Sequence, residues 1–220
     1  DDVYFQTREV QNKYYDAVPE IVQGYMDEIS KVTGREYKLF NYYGAEDATD
    51  IIVAMGSVNG AIEETVDFLN EKEGRKVGAI NVHLYRPFSV KHLLDVLPKT
   101  VKRIAVLDRT KEPGSIGEPL YLDVKSAFYG KDDTPVVIGG RYGLSSKNTT
   151  PGQIIAVFDN LAKGKDAKDN FTIGILDDVT HLSLPVTREP NVGGEDVTQL
   201  IFYGVGSDGT VGANQNTIKL

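Results

Sequence analysis

The stretch from Asp50 to Gly74 constrains the fold of this chain more than any other. It opens with a short apolar run, Ile51 to Met55, which breaks at Gly56. Beyond the glycine, apolar residues recur at i, i+4 and i+7, a spacing that is typical of a helix with one buried face. These residues are Ile62, Val66 and Leu69. The stretch therefore predicts a buried strand that passes through a tight turn into a helix.

The flanks of this helix predict its ends and the direction of the sheet. Ser57 or Asn59 can cap the first free amides, and Gly74 can adopt the left-handed conformation that often ends a helix. The next apolar run, Val77 to Leu84, follows at once. A strand, a helix and a second strand this close together imply a crossover connection and a parallel sheet.

The residues before this unit have a helical pattern. Thr7 to Val32 place apolar side chains on one face, and Gly34 lies just past the end. Because proline is unfavourable deep inside a helix, we expect a break near Asp16, with Pro19 in the first turn of a second helix. Lys38 to Tyr43 is aromatic and extended, which fits either an edge strand or a lead-in to the central unit.

Helices and strands continue to alternate after the central unit. The predicted elements are a helix capped by Ser89 and stopped by Pro98, a strand at Arg103 to Leu107, a helix from Pro119 to Phe128, a strand at Pro135 to Ile138, and a helix opened by a capping box at Thr150 to Gln153 and followed by Gly164. We therefore predict an α/β fold in three layers: a mainly parallel sheet with helices on both faces, plus an N-terminal helical segment and a C-terminal arm.

Changes in composition predict the limits of the domains. Residues 1–48 form an N-terminal helical lead-in, and residues 49–170 form the α/β domain, which ends in a charged, glycine-containing stretch. Residues 171–197 combine short apolar runs with a polar Pro/Gly stretch, which predicts an extended arm and a linker. Residues 198–220 are interpreted as the truncated start of a further domain, with a strand at Gln199 to Tyr203.

Composition disfavours several classes of function. The 220 residues are 40% hydrophobic, enough for a buried core, yet no run approaches the roughly 20 apolar residues of a membrane helix. A net charge of -8 disfavours binding to nucleic acid or to an anionic membrane, because phosphate neutralisation requires clustered Lys and Arg. Without cysteine, the chain has no disulfide, no thiolate ligand and no thiol nucleophile.

Three loops are expected to meet at the carboxyl edge of the sheet, where open parallel sheets bind their ligands. They are Gly56 with Ser57, the turn Arg86 to Phe88, and the loop Asp108 to Gly117. Arg86, Arg109 and Arg141 could hold an anionic ligand there, since a guanidinium group binds carboxylate or phosphate with two hydrogen bonds. Inter-domain ion pairs are the favoured alternative, because no general base or nucleophile accompanies these arginines in sequence.

A glycine-rich turn near the end of the chain is a second candidate site. Gly204 to Gly209 matches G-x-G-x-x-G after a predicted strand, and backbone amides at such a turn can bind phosphate. The residues concerned are Gly204, Gly206, Ser207, Asp208, Gly209 and Thr210. A tight structural turn explains the pattern equally well. The three histidines lie far apart in sequence, and no residues are predicted as catalytic or as metal ligands.

Several blocks of the sequence closely resemble pyruvate:ferredoxin (flavodoxin) oxidoreductase. They are Ile51 to Ser57, Leu84 to Phe88, Ile104 to Gly114, Gly139 to Leu144 and Asp177 to Leu182. The resemblance runs from Gly34 to Asn214 with the blocks in the same order. It implies an internal piece of a much larger chain, comprising a second domain similar to the C-terminal domain of transketolase and the start of a third, CoA-associated domain. A first residue other than Met fits such a piece.

The resemblance also implies what the complete enzyme does. The family oxidatively decarboxylates pyruvate on thiamine diphosphate with Mg²⁺, passes electrons through 4Fe-4S clusters to ferredoxin or flavodoxin, and forms acetyl-CoA and CO₂. It implies a cytoplasmic homodimer whose remaining domains, in the same polypeptide, hold these cofactors, so that this chain binds none. The absence of cysteine agrees, because no cluster can be held here. The resemblance further implies that the turn from Gly204 to Thr210 lies near CoA.

Alternatives of a different class stay open at this point. The chain can be a supporting domain, or a self-contained module that binds a CoA-like or phosphate group at the sheet edge and loses it on Arg109→Ala or Arg141→Ala. A third alternative is the same domain in another thiamine enzyme, such as transketolase or the β subunit of a 2-oxoacid dehydrogenase. The blocks Gly139 to Gly143 and Asp177 to Leu182 disfavour that third alternative.

Overall fold

The strands of the chain build one mixed sheet. The computed structural model describes residues 1–194, 197–198 and 200–219. The strands in these residues are β1 (Phe40–Gly44), β2 (Asp50–Ala54), β3 (Val77–Val82), β4 (Arg103–Asp108), β5 (Val136–Arg141) and β6 (Phe171–Thr172). The α-helices are α1 (Asp2–Thr33), α2 (Val58–Glu73), α3 (Val90–Val96), α4 (Pro119–Ala127), α5 (Pro151–Ala162) and α6 (Thr210–Thr217). Short 3₁₀ helices occupy Leu144–Ser146 and Gly164–Asp166.

The order of the strands is β1-β3-β2-β4-β5-β6, and only the pairing of β1 with β3 is antiparallel among the described strands. The predicted α/β fold with a mainly parallel sheet is therefore confirmed. Of the two interpretations of Lys38 to Tyr43, the edge strand is correct, because β1 lies at the edge of the sheet and pairs with β3 alone.

Both faces of the sheet are covered, which gives three layers. Every residue of β2 is buried, and alternate side chains enter two separate cores. Ile52 packs in the core that includes side chains of α2 and α5, whereas Ile51 and Val53 pack in the core that includes α3 and α4. Burial of such a side chain contributes about 1.5–3 kcal/mol. Near-continuous apolar runs are expected of parallel strands that are covered on both faces.

The central strand and helix form as predicted, but the start of α2 differs. Gly56 has φ +82°, and the left-handed Gly74 donates its N–H to the Leu69 carbonyl. Capping by Ser57 or Asn59 is wrong. Ser57 has φ -66° and ψ -17°, a helical conformation in which its side chain makes no capping bond. The Asn59 amide group instead donates to the Gly56 carbonyl (3.0 Å) and to Asn81 Oδ1 (2.8 Å), which ties the helix start to β3.

Helix α1 is continuous, so the predicted break near Asp16 is wrong. Pro19 lies inside the helix, and Gly34 ends it with φ +71°. Proline removes one backbone donor, the one that would bond to the carbonyl four residues earlier, Tyr15. Because Tyr15 is exposed, water can satisfy that carbonyl, and the helix passes through the proline.

The start of α5 is capped by a distant residue rather than by the predicted box at Thr150. The Thr150 side chain makes no capping bond and donates its hydroxyl to Glu189 Oε2 (2.8 Å). Glu189 Oε1 accepts the Gly152 N–H (2.9 Å). A carboxylate from the arm thus satisfies the free amide and favours the positive end of the helix dipole.

The end of the chain departs from its predicted strand at Gln199 to Tyr203. Gln199 lies outside the described residues, and Leu200 to Tyr203 form no strand and pair with none of the strands that the structure describes. Their side chains are exposed. In the part of the chain that the structure describes, no helix combines the length and apolar character that crossing a membrane would need.

Strand β5 runs three residues beyond its predicted end, through Gly140 to Arg141, and pairs there with β6. Gly140 is required because the ring of the fully buried Phe171 lies directly over it. A Cβ at residue 140 would lie 2.2 Å from the ring. The extended arm therefore begins with residues that complete the sheet and its core.

We expect Gly140→Ala to lower the free energy of unfolding by about 1–3 kcal/mol, since the added methyl group overpacks the contact with Phe171. The matched control is Gly60→Ala in α2, where a Cβ would meet nothing within 4 Å. That change should raise the free energy by up to about 1 kcal/mol, because alanine favours a helix. Urea unfolding of both variants measures the difference. Equal stability of the two variants would contradict the packing of β6 on β5.

Candidate functional site

The carboxyl edge of the sheet contains a cleft at its topological switch point. Strands β2 and β4 are neighbours, but the helices that follow them, α2 and α4, pack in different cores. Open α/β sheets bind ligands in the crevice that such a reversal leaves. A cleft of about 340 Å³ lies there, lined by Met55, Gly56, Ser57, Tyr85, Asp108, Arg109, Thr110, Pro119 and Tyr142.

A second cleft, of about 250 Å³, adjoins the first and shares Ser57, Arg109 and Tyr142 with it. It extends to residues 146–149 after β5, which include Lys147. Two of the three loops that the sequence analysis assigned to this edge, those after β2 and β4, line the first cleft together. No residue of the third loop, Arg86 to Phe88, lines this cleft, although the preceding residue, Tyr85, does.

The Arg86 side chain is paired within the domain. Its Nη2 lies 2.7 Å from Asp123 Oδ2, and its guanidinium carbon lies 3.9 Å from the centre of the Tyr85 ring. Burial, followed by the Asp123 carboxylate, raises the pKa of Tyr85 to about 12. Both interactions hold Arg86 at the surface of α4 rather than leaving it open to a ligand.

Arg141 is also used structurally. Its Nε donates to Glu118 Oε1 (2.8 Å), and its Nη1 donates to the Asn170 carbonyl (2.9 Å). The side chains of Arg141 and Glu118 are 11% and 2% exposed. The arginines at 86 and 141 thus each form an ion pair with an acidic side chain of the same α/β domain.

Asp108 at the end of β4 is an organising residue that sequence reasoning missed. Its two carboxylate oxygens accept the N–H groups of Leu120 and Tyr121, each at 3.0 Å, at the start of α4. Burial raises the pKa of Asp108, the two N–H groups oppose that shift, and the Glu118 and Asp123 charges add to it. An acidic residue that ends a strand ahead of a helix was the available signal.

Arg109 differs from the other two arginines. Its Nε donates to the Gly143 carbonyl (3.1 Å), and within the described residues it forms no ion pair. Gly143 has φ +60°, and a Cβ there would lie 3.1 Å from Arg109 Nε, so the glycine allows this close contact. The terminal nitrogens of Arg109 remain available at the cleft, beside the start of α2. This arrangement can bind a carboxylate or phosphate group.

Tyr142, which the sequence analysis also did not identify as a site residue, links the end of β5 to the end of β2 beside Arg109. It is 7% exposed, and its hydroxyl donates to the Met55 carbonyl (3.2 Å). Burial raises the pKa of Tyr142, and the nearby Arg109 charge opposes the shift. The tyrosine therefore fixes the floor of the cleft and stays protonated near neutral pH.

The glycine-rich turn forms, with Gly206 at φ +85°, Gly209 at φ +82° and α6 directly after it. Its amides are already partly used. Asp208 Oδ2 accepts the Val205 N–H (2.9 Å), while Oδ1 accepts the Thr210 N–H (3.0 Å) and the Thr210 hydroxyl. A carboxylate of this chain thus lies on the turn, and its charge disfavours a phosphate at the same place.

The histidines make local contacts in different parts of the fold. His83 Nδ1 lies 2.8 Å from the Lys38 carbonyl, and His92 Nδ1 lies 2.7 Å from the Ser89 hydroxyl. His181 lies in the arm with φ +56°. Over the described ranges, no cluster of three or more histidine and acidic side chains is arranged to hold a metal ion.

Comparison with known proteins confirms the resemblance found in the sequence. Residues 48–154 match the model of pyruvate:ferredoxin oxidoreductase core domain II. A pyruvate-flavodoxin oxidoreductase of Enterobacter agglomerans is 59% identical over 220 residues, which are 100% of this chain and 19% of that protein. The pyruvate:ferredoxin oxidoreductase of Moorella thermoacetica is 54% identical over 219 residues, 100% of this chain and 18% of that protein. The chain thus spans about a fifth of the length of these curated relatives.

A solved structure is also similar, more distantly. It is 2-oxoglutarate:ferredoxin oxidoreductase from Magnetococcus marinus with 2-oxoglutarate, coenzyme A and succinyl-CoA bound. The TM-score is 0.41 and the identity 23%, over 58% of this chain and 20% of that one.

The same substitution at two arginines separates their roles. Arg141→Gln should lower the free energy of unfolding by about 3 kcal/mol, because it removes the buried cation of Glu118 and leaves only the half-exposed Lys111, whose Nζ lies 4.0 Å from Glu118 Oε1. Arg109→Gln should change it by less than about 1 kcal/mol, since the side chain is exposed and loses one hydrogen bond. Urea unfolding measures both, and equal losses would contradict the structural assignment of Arg141.

The Asp208 carboxyl group should titrate with a pKa of about 2, because the Thr210 hydroxyl and then the amides of Thr210 and Val205 hydrogen-bond to its charged form. The stabilisation of the turn is present above the ordinary pKa of about 3.9 and is lost as the pH falls through about 2. Carboxyl NMR titration measures it. Thr210→Val should move the value towards normal, whereas an ordinary pKa in the unaltered chain would show that the turn is not held in this way.

Proposed function

Because the chain belongs to the pyruvate:ferredoxin oxidoreductase family through its core domain II, we propose that it is an internal domain of a longer oxidoreductase polypeptide and contributes no catalytic residue. The observation that supports this most is the extent of the identity. All 220 residues align at 59% identity with a relative of which they cover only 19%. An intact enzyme of this kind converts pyruvate to acetyl-CoA and CO₂ and reduces ferredoxin or flavodoxin.

In this proposal the redox and thiamine cofactors are held by the remaining domains of the same polypeptide. The chain does not fit an iron-sulfur cluster, because it has no cysteine to supply thiolate ligands. Thiamine diphosphate with Mg²⁺ and the clusters would supply the decarboxylation and electron-transfer chemistry of the intact enzyme. The intact enzyme is proposed to be a cytoplasmic homodimer.

The role of the chain itself is to present a fixed surface to those domains. Residues 49–170 supply the transketolase C-terminal-like domain, which residues 1–48 lead into and residues 171–197 connect onwards. The loop between β4 and α4 is held at both ends, at Asp108 by the first amides of α4 and at Glu118 by Arg141. Buried, paired charges of this kind fix the positions of the groups that they join. A supporting domain needs such loops because its neighbours pack against them.

A second candidate function is the binding of a phosphate or CoA-like group at the sheet edge. The observation that favours it is Arg109, whose guanidinium lies at the cleft without an ion pair among the described residues, unlike Arg86 and Arg141. Residues 198–220 are proposed to begin a CoA-associated domain in the intact enzyme, with the turn from Gly204 to Thr210 near that ligand. Asp208 would have to leave the turn amides before a phosphate could take its place.

Isothermal titration of the 220-residue chain distinguishes the two functions. We expect no saturable heat from coenzyme A, or from thiamine diphosphate with Mg²⁺, because the supporting domain acts only within the intact enzyme. Micromolar binding of coenzyme A that is lost in Arg109→Gln and retained in Arg86→Gln would replace the supporting role with ligand binding at the cleft. Pyruvate-dependent reduction of flavodoxin or ferredoxin by the intact polypeptide tests the activity itself, and its absence would contradict the proposed reaction.

A further inference from the structure

Helix α1 carries an apolar stripe along its whole length. Positions spaced by four, three and four residues recur from one end of the helix to the other, which places them on one side of a helix with 3.6 residues per turn. They are Val3, Thr7, Val10, Tyr14, Val18, Ile21, Tyr25, Ile29 and Val32, and only Thr7 is polar. All except the half-buried Val18 are exposed, from 51% at Ile29 to 87% at Val32.

The stripe is not the side of α1 that packs on the α/β domain. That side uses Val22 and Met26, which are half-buried against the core. It also uses Gln23, whose Oε1 accepts the Leu39 N–H (3.1 Å), and Ser30, whose hydroxyl accepts the Tyr37 N–H (2.9 Å). The centres of the two sides are separated by roughly a third of a turn of the helix. The domain therefore leaves the stripe uncovered.

The first half of α1 has little support from the domain. The side-chain hydrogen bonds of Thr7, Arg8 and Asn12 all end within the helix, and no residue of α1 is buried. Most helices in proteins gain their stability from packing of an apolar side, not from helix propensity. A long, contiguous apolar surface is also unusual on a free domain and marks an interaction site.

We propose that this stripe is the docking surface for another domain of the longer polypeptide, which rests on the proposed function of the chain as an internal domain. The relatives match 100% of this chain, and hence include α1, while this chain covers only 18–19% of their length. A much larger polypeptide is therefore available to cover the helix. The expected occupant is an apolar surface that also carries lysine or arginine.

Charge is the reason for choosing another domain over a second copy of α1. Helix α1 contains six acidic and three basic residues, a net charge of -3. Two helices that each carry this net charge would repel each other when packed side by side, whereas a surface that carries lysine or arginine would be attracted to α1. Self-association is accordingly an outcome that the experiment must detect.

Hydrogen–deuterium exchange tests the docking in the intact polypeptide and in the 220-residue chain. The amides of residues 2–17 should exchange about tenfold or more slowly in the intact polypeptide, because docking opposes local opening of the helix. Tyr14→Gln with Ile21→Gln should remove that protection. The matched control, Asn12→Gln with Asp16→Gln on the polar side of the same helix, should retain it. In the 220-residue chain, both double variants should unfold at the same temperature as the unaltered chain.

Equal exchange in the two forms, or protection that survives Tyr14→Gln with Ile21→Gln, would overturn the proposal. So would a dimer of the 220-residue chain in sedimentation that these two substitutions abolish, since a second copy would then be the occupant. The exchange result does not depend on turnover. Retained protection without pyruvate oxidation would refute the proposed activity alone, and turnover without protection would refute the docking alone.

Discussion

The burial of the central sheet on both faces is the constraint on which the rest of the structure depends. Every residue of β2 is buried, so the middle of the sheet has no room for unpaired polar groups. Charged side chains are confined to the ends of the strands. At the amino end, Arg103 Nη2 donates to Asp50 Oδ2 at 2.7 Å, and Asp50 is 5% exposed. At the carboxyl end, Asp108 and Glu118 take the equivalent role around α4.

The same constraint explains why only one of the three arginines at the carboxyl edge stays available. A buried carboxylate needs a cation or several N–H donors, and Glu118 takes Arg141 for that purpose. Asp123 takes Arg86. Arg109 lies beyond the reach of both carboxylates and is held by a neutral carbonyl, that of Gly143. The edge of the sheet thus mostly joins loops to the core, and of its three arginines Arg109 alone has no ion pair within the described residues.

The helices and their ends could be predicted from the sequence where the residue that determines a feature lies in the same helix or strand as the feature itself. The apolar spacing of α2, the proline at the start of α4, and Gly34 and Gly74 at helix ends act within a few residues. Sequence reasoning failed where a partner comes from far along the chain. Glu189 replaces the local cap of α5 from 39 residues away, and the partners of the arginines depend on how loops meet in space. Pro19 was misjudged because propensity alone ignores the water that can satisfy an exposed carbonyl.

The α/β domain extends beyond the residues that the family model matches, because residues of the arm after residue 170 pack against it. The family model ends at residue 154, in the first turn of α5. Yet Phe171 fills the space over Gly140, and Glu189 completes the start of α5, both from beyond that limit. The match to the family model and the packing of the domain therefore have different limits. A piece cut at residue 154 would retain the match to the family model but lose part of its own interior.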